Sequence, residues 1–216
     1  MAAHCANTYS CYIDSNMTGQ KANRNLEFLY EIGVLRNLPR AWTQILACDT
    51  ASDPEHTFRV MFLALMLARM EKVKSEEKIL KMALVHDIAE ARTGDHHYIQ
   101  SVYIKADEET AAKHTFAGTV LEDLQNEILK EYEERKTVEA KIVKDADNLD
   151  IDLELKEMEE RGHKLSEKFK AFRKLVRNQK LYTKSAKKIW DAIQRSDPAS
   201  WHLCANKWLK MSGAGK

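Results

Sequence analysis

The stretch KMALVHDIAEARTGD, residues 81–95, decides how this chain is read. It opens as an apolar helix and then sets His86 beside Asp87, with Glu90 three residues on and Asp95 just after Gly94. Ile79, Ala83, His86 and Glu90 step by four, three and four, which places them on one helical face. Leu80, Leu84 and Asp87 form the neighbouring row, so the pattern carries both His86 and Asp87 inward. A buried carboxylate without a partner costs several kcal/mol or more. A divalent cation would compensate, because imidazole and carboxylate together suit a borderline metal. An ordinary buried hydrogen-bonded pair would compensate as well, and the dipeptide alone does not decide between them.

Outward from this stretch the chain reads as helical throughout. It has 216 residues, 7 glycines, 3 prolines and 31% charged residues, a balance that long solvated helices produce more readily than sheets. Asp53 can cap a helix whose first position suits Pro54, and that helix is apolar almost all round through FRVMFLALMLARM, hence central. Ser75 can cap the next, which Gly94 stops. Further helices are predicted over about 26–35, about 108–134 and from Thr137 to about 162. Two or three shorter ones follow from about Leu165, the last opened by Asp197 and Pro198. Residues 40–52 and 95–107 read as connectors, and there is no convincing strand or repeat.

The resulting organisation is a poorly ordered leader over 1–20, a single helical domain over 21–211 and a frayed tail over 212–216. Within the domain the motif-bearing core spans about 24–160 and C-terminal helices about 165–211. The first 20 residues lack the basic start and apolar block of a signal peptide, and the longest apolar run, Val60 to Ala68, is too short to span a bilayer. Cys5, Cys11, Cys48 and Cys204 form no CxxC pair and read as reduced thiols of a cytoplasmic protein. A formal net charge of +1 gives no overall field for a nucleic-acid polymer.

Two further features give the His86–Asp87 pair company. His56 lies in the first turn of the central helix, and a short antiparallel connection near 73–75 would bring it to His86. KDADNLD, residues 144–150, sits in a helix that is otherwise apolar at Ile142, Val143, Ala146, Leu149 and Leu153. On a helical wheel Asp150 points nearer the apolar centre than Asp147, and Asp145 is close by, so periodicity leaves the last carboxylate open.

In order, EH (55–56), HDIAE (86–90), TGD (93–95) and KDAD (144–147) resemble the HD-domain metal-dependent phosphohydrolases, most closely the 5'-deoxynucleotidase branch. The resemblance covers about residues 24–160 and implies an all-α HD-domain helical bundle. It also implies one divalent ion (manganese, cobalt, iron, magnesium or zinc) held by His56, His86, Asp87 and Asp147. Glu90 would then orient or deprotonate the attacking water, and Asp95 would give a proton to the leaving oxygen. Arg40 and Trp42, in LPRAW, match the arginine and tryptophan that precede the first motif histidine and would contact substrate phosphate and sugar or base. The expected activity is release of phosphate from nucleoside 5'-monophosphates, with deoxynucleotides favoured. The small-molecule nucleotide would be the partner, with no nucleic-acid polymer or membrane. The alternatives are hydrolysis of another phosphoester and a non-catalytic nucleotide sensor. Ala91 after Glu90 departs from the acidic pair of alarmone hydrolases, and no GYP motif is present. Homodimers are common in the branch. Trp190, Trp201 and Trp208 would serve such an interface or pack back on their own bundle.

Overall fold

The computed structural model describes residues 23–203. The leader, Trp208, Cys204 and the tail therefore fall outside the described residues. Among those described, regular structure is helical, and the extended backbone amounts to one isolated bridge between Pro39 and Ser52. Three helices build the centre: α3 (Asp53–Met70), α4 (Glu76–Val85) and α9 (Val138–Glu160). Before them come α1 (Arg24–Ile32), continued by a tight turn over Gly33–Asn37, and α2 (Trp42–Leu46). Between α4 and α9 lie α5 (Glu90–Thr93), α6 (Gln100–Tyr103), α7 (Glu108–Phe116) and α8 (Lys130–Glu134). The chain closes with α10 (Lys164–Lys168), α11 (Lys170–Gln179), α12 (Lys184–Arg195) and α13 (Ser200–Leu203).

Local chemistry starts these helices where the sequence permits. Ser52, rather than Asp53, caps α3: its backbone N–H donates to Glu55 Oε2 at 2.7 Å, with Pro54 in the first turn. That leaves Asp53 free to turn inward, where it is buried. Thr137 caps α9 by accepting from Ala140 N at 3.2 Å. Val60, Leu63, Ala64 and Leu67 of α3 pack on Ile79, Met82 and Ala83 of α4 and on Val143, Ala146 and Leu149 of α9, all buried. Each of the larger of these side chains stabilises the fold by about 1.5–3 kcal/mol on burial. α3 is central on this side only. Phe58, Phe62, Met66 and Met70 stand exposed on its other face.

Four predicted segments differ from the structure. α4 stops at Val85 instead of running to Thr93, and residues 86–89 turn more tightly, with Ile88 N bonding Val85 O and Glu90 N bonding Asp87 O. Leu84 is exposed, so the Leu80–Leu84 row does not carry Asp87 inward; the change of pitch after Val85 does. The helix expected over 108–134 breaks after Phe116, where Gly118 takes a left-handed φ of 72° that glycine adopts without strain. A wider helical turn over Leu124–Leu129 then leads into α8. The connector over 40–52 contains α2, and that over 95–107 contains α6. In the C-terminal part, Trp190 packs into the core of its own bundle and Trp201 is exposed.

Candidate functional site

The α3–α4 hairpin reverses through Glu71–Ser75, with Lys72 left-handed at φ 61°, and brings the start of α3 beside the end of α4. His56 Nε2 and His86 Nε2 face each other at 3.3 Å, and both rings are buried. Their other nitrogens are already committed. His86 Nδ1–H donates to Ala83 O at 2.8 Å, and His56 Nδ1–H donates to Asp150 Oδ2 at 2.6 Å. In the neutral rings each Nε2 is therefore an acceptor, and two acceptors at hydrogen-bond distance need a proton or a cation between them. Asp147 Oδ1 lies 3.3 Å from His56 Nε2, and Asp87 Oδ2 lies 3.2 Å from His86 Nε2 and 3.6 Å from His56 Nε2.

This donor set fits a small divalent ion. His56, His86 and Asp147 each offer a ligand atom within 4.8 Å of the others, and Asp87 flanks both histidines. The carboxylate and carbonyl behind the rings fix their tautomers, as partners of metal-bound histidines do. The electrostatics of the metal-free chain record the same crowding. Burial pulls His56 down, but Asp147 and Asp150 outweigh it and hold its pKa up at about 9. Burial dominates at His86 and keeps that ring below its usual value. Burial pushes Asp147 up, yet Lys144 and the two histidines override it and hold the carboxylate well below its ordinary range.

A second acidic group sits one step outward. Asp53, Asp87 and Glu90 cluster around Arg40, itself buried. Arg40 Nη1 donates to Asp87 Oδ2 at 2.9 Å and to Asp53 Oδ1 at 3.2 Å. Glu90 Oε2 is 4.0 Å from the same nitrogen, and Arg40 Nε is 3.6 Å from Asp95 Oδ2. The guanidinium expected to fork a phosphate is thus wrapped in carboxylates. Burial, then Asp87, raises Asp53 to about 6. Burial, then Asp87, Asp53 and Asp95, pushes Glu90 up to about 11, and Glu90 Oε2 is buried without a hydrogen-bond partner. Asp95 Oδ2 accepts from Ala41 N at 2.7 Å, which ties the loop after α5 to the LPRAW segment. Trp42 packs edge-on against Phe169 at 5.3 Å.

The structure therefore brings His56, His86, Asp87, Asp147, Glu90, Asp95 and Arg40 into one region, with Trp42 beside it. It also separates the three aspartates that periodicity left open. Asp145 caps α12 through Tyr182 N, Thr183 N and Thr183 Oγ1; Asp150 backs His56 and pairs with Arg59; Asp147 alone faces His56 Nε2. The residues that sequence reasoning missed are Asp53, hidden by its apparent role as a cap, and Lys144, whose Nζ lies 2.7 Å from Asp147 Oδ2. The KDAD motif contained Lys144, but its spacing carried no sign of where the ammonium would point.

Two cavities flank the cluster. One, of about 460 Å³, is lined by Arg40, Trp42, Asp95 and Lys144, with Tyr98 and Phe172 forming a stacked aromatic wall at 5.8 Å. Arg135, Arg173 and Lys180 add to its lining, so five cations stand against one carboxylate. The other, of about 700 Å³, touches His86 from the α7 side and carries Asp107, Glu108, Glu109 and Glu133 against two lysines. An anionic ligand is drawn to the first and repelled by the second.

Comparison with known proteins agrees with this picture. The HD domain family matches residues 32–193. A 5'-deoxynucleotidase HDDC2 from Bos taurus is 30% identical over 156 residues, 69% of this chain and 75% of that protein. The corresponding protein of Danio rerio is 32% identical over 142 residues, 62% of this chain and 70% of its own. Among solved structures, a conserved hypothetical protein from Pyrococcus furiosus superposes with a TM-score of 0.66 at 26% identity, over 79% of this chain and 99% of that one.

Proposed function

This chain belongs to the HD-domain family, and from that premise we propose that it is a metal-dependent phosphohydrolase releasing phosphate from nucleoside 5'-monophosphates, deoxynucleotides above all. The observation that carries this reading is the cationic, aromatic cleft opening beside a buried His–His–Asp cluster. It has the size and charge for one nucleotide and one cation-bound phosphate. The relatives are 5'-deoxynucleotidases by name, which supports the sugar preference. Among the described residues no helix is long and apolar enough to cross a membrane.

We assign His56, His86, Asp87 and Asp147 as the residues that would hold a single divalent ion. When bound, such an ion polarises a phosphate oxygen and lowers the pKa of a water on it. The chain's own groups do the rest. Arg40 holds Asp87 and Asp53 in place and offsets their charge. Glu90 orients the attacking water through its buried, unpartnered Oε2. Burial and the carboxylates of Asp87, Asp53 and Asp95 favour the protonated form of its carboxyl. Asp95, fixed by Ala41 N at the cleft wall, serves the leaving oxygen. Trp42, with Tyr98 and Phe172 beyond it, offers apolar faces to sugar and base.

The test is phosphate release from a panel of ribo- and deoxynucleoside 5'-monophosphates with manganese, cobalt, iron, magnesium and zinc in turn, beside Asp87→Asn. Metal-dependent release that vanishes in the variant is the expected result. Binding of nucleotide and metal without release under any ion would instead favour the sensor.

A further inference from the structure

The cleft needs a cation that meets the phosphoryl group, and its five basic residues are not equivalent. Arg40 is buried and taken up by Asp87 and Asp53. Arg173 is buried and forks Asp152 at 3.0 and 2.7 Å. Arg135 donates to Tyr132 O and lies over the Tyr132 ring at 3.3 Å. Lys180 stands at the C-terminal end of α11. Lys144 differs from all four. Its Nζ lies 2.7 Å from Asp147 Oδ2, the oxygen turned away from His56, while the side chain remains 37% exposed and lines the cleft. An ammonium carries three N–H donors, so one on Asp147 leaves two for a ligand.

We propose that Lys144 is the phosphate-binding cation of the cleft, steadying Asp147 through Oδ2 and presenting its remaining donors to the phosphoryl oxygens. This rests on the phosphohydrolase reading and adds a residue to it. The geometry explains why a lysine serves here and the buried arginine does not. A compact charge on a flexible stem reaches past the carboxylate rim, whereas Arg40 is locked behind it. It also places a fixed positive charge next to the carboxylate that shares the site with an anionic substrate, so Asp147 does not repel the phosphate.

The experiment is calorimetric titration of inorganic phosphate into the manganese-loaded protein, for wild type, Lys144→Met, Lys144→Gln and Lys144→Arg. Bound manganese is measured in each. Lys144→Gln keeps a hydrogen-bond donor for Asp147 without the charge, so it separates charge from structure. The expected result is phosphate affinity about 10- to 100-fold weaker in the Met and Gln variants, the loss of one charge-assisted contact. Partial recovery in Lys144→Arg is expected, with manganese content unchanged in all. Phosphate affinity within twofold of wild type in Lys144→Gln overturns the proposal. So does a loss of manganese that parallels the loss of phosphate, since Lys144 would then act only through Asp147. A wild type that binds no phosphate overturns it as well. Steady-state cleavage of nucleoside monophosphates, run alongside, judges the functional reading separately: its failure leaves the phosphate titration to decide on Lys144.

Discussion

Along one helix, α9, four buried aspartates divide into two kinds. Asp145 and Asp152 have every oxygen engaged. Asp145 accepts from Tyr182 N at 2.7 Å and from Thr183 N and Oγ1 at 2.8 and 2.7 Å. Asp152 is forked by Arg173. Asp147 and Asp150 instead face the histidines: Asp150 backs His56, and Asp147 lies beside two facing Nε2 acceptors. The first pair ties the C-terminal helices to the core, and the second gathers charge that only a proton or a cation can reconcile. Burial alone does not distinguish them, because all four are buried. What separates them is which partners they meet: backbone N–H groups, a hydroxyl and an arginine for the first pair, and the two facing histidines for the second.

The sharpest way to break this contrast is to remove one charge of each kind. Asp147→Asn should lower kcat/KM by roughly 10⁴-fold, about 5.5 kcal/mol of transition-state stabilisation, while the melting temperature stays near that of the wild type. Asp152→Ala should do the reverse. It strands Arg173 in the interior and should cost about 3–5 kcal/mol of stability in denaturant unfolding, with activity per folded molecule almost unchanged. If Asp152→Ala destroyed activity at full stability, the two kinds of aspartate would not be two kinds.

A smaller effect sharpens the comparison within the site. Asp150→Asn leaves the ligand atoms in place but weakens the acceptor that fixes the His56 ring. Metal affinity, read by competition with a chromophoric chelator, should fall about 10- to 100-fold, the usual consequence of losing a partner behind a ligand histidine. An unchanged affinity would mean that Arg59, which also pairs with Asp150, is the reason the carboxylate is there.

How much of this was legible in the sequence follows from the same distinction. The central helices, the Thr137 start of α9 and the meeting of His56 with His86 could be read because periodicity and a short hairpin dictate them, whereas the cap of α3 falls on Ser52 and not on Asp53. The inward turn of Asp87 was read, but from the wrong cause. It arises from a change of pitch after Val85 that no local breaker marks, and Leu84 on the same row faces solvent. Wheel geometry favoured Asp150 over Asp147 and was right that Asp150 is the more deeply buried of the two, but Asp150 backs a ligand histidine while Asp147 faces its Nε2. Arg40 was read as a contact to substrate phosphate; its burial among four carboxylates was not legible, because it depends on α2, the Asp95 loop and the start of α3 converging from distant parts of the chain. Lys144 was equally invisible, because the sequence places it on α9 without saying which oxygen of Asp147 it meets.

The last and smallest effect is a pH dependence that should belong to one kind of aspartate and not the other. In the metal-free chain Asp147 and Asp150 hold His56 at about 9, above the ~6.5 of an unfolded histidine. A raised histidine stabilises the fold fully below about 6.5, and that stability is lost as pH rises through about 9. The metal-free protein should therefore lose stability between these limits. Metal binding must expel the same proton, so affinity should climb about tenfold, some 1.4 kcal/mol, for each pH unit in this window. Asp145 and Asp152 are also shifted, upward by burial, but a carboxylate raised above its unfolded ~3.9 makes its contribution at low pH and loses it as pH rises through the folded value. Manganese titrations at pH 6.5, 7.5 and 8.5, on wild type and on Asp152→Asn, should give the same slope in both. A flat wild-type profile would show that His56 carries no proton for the metal to displace, and the Nε2–Nε2 contact would then need another explanation.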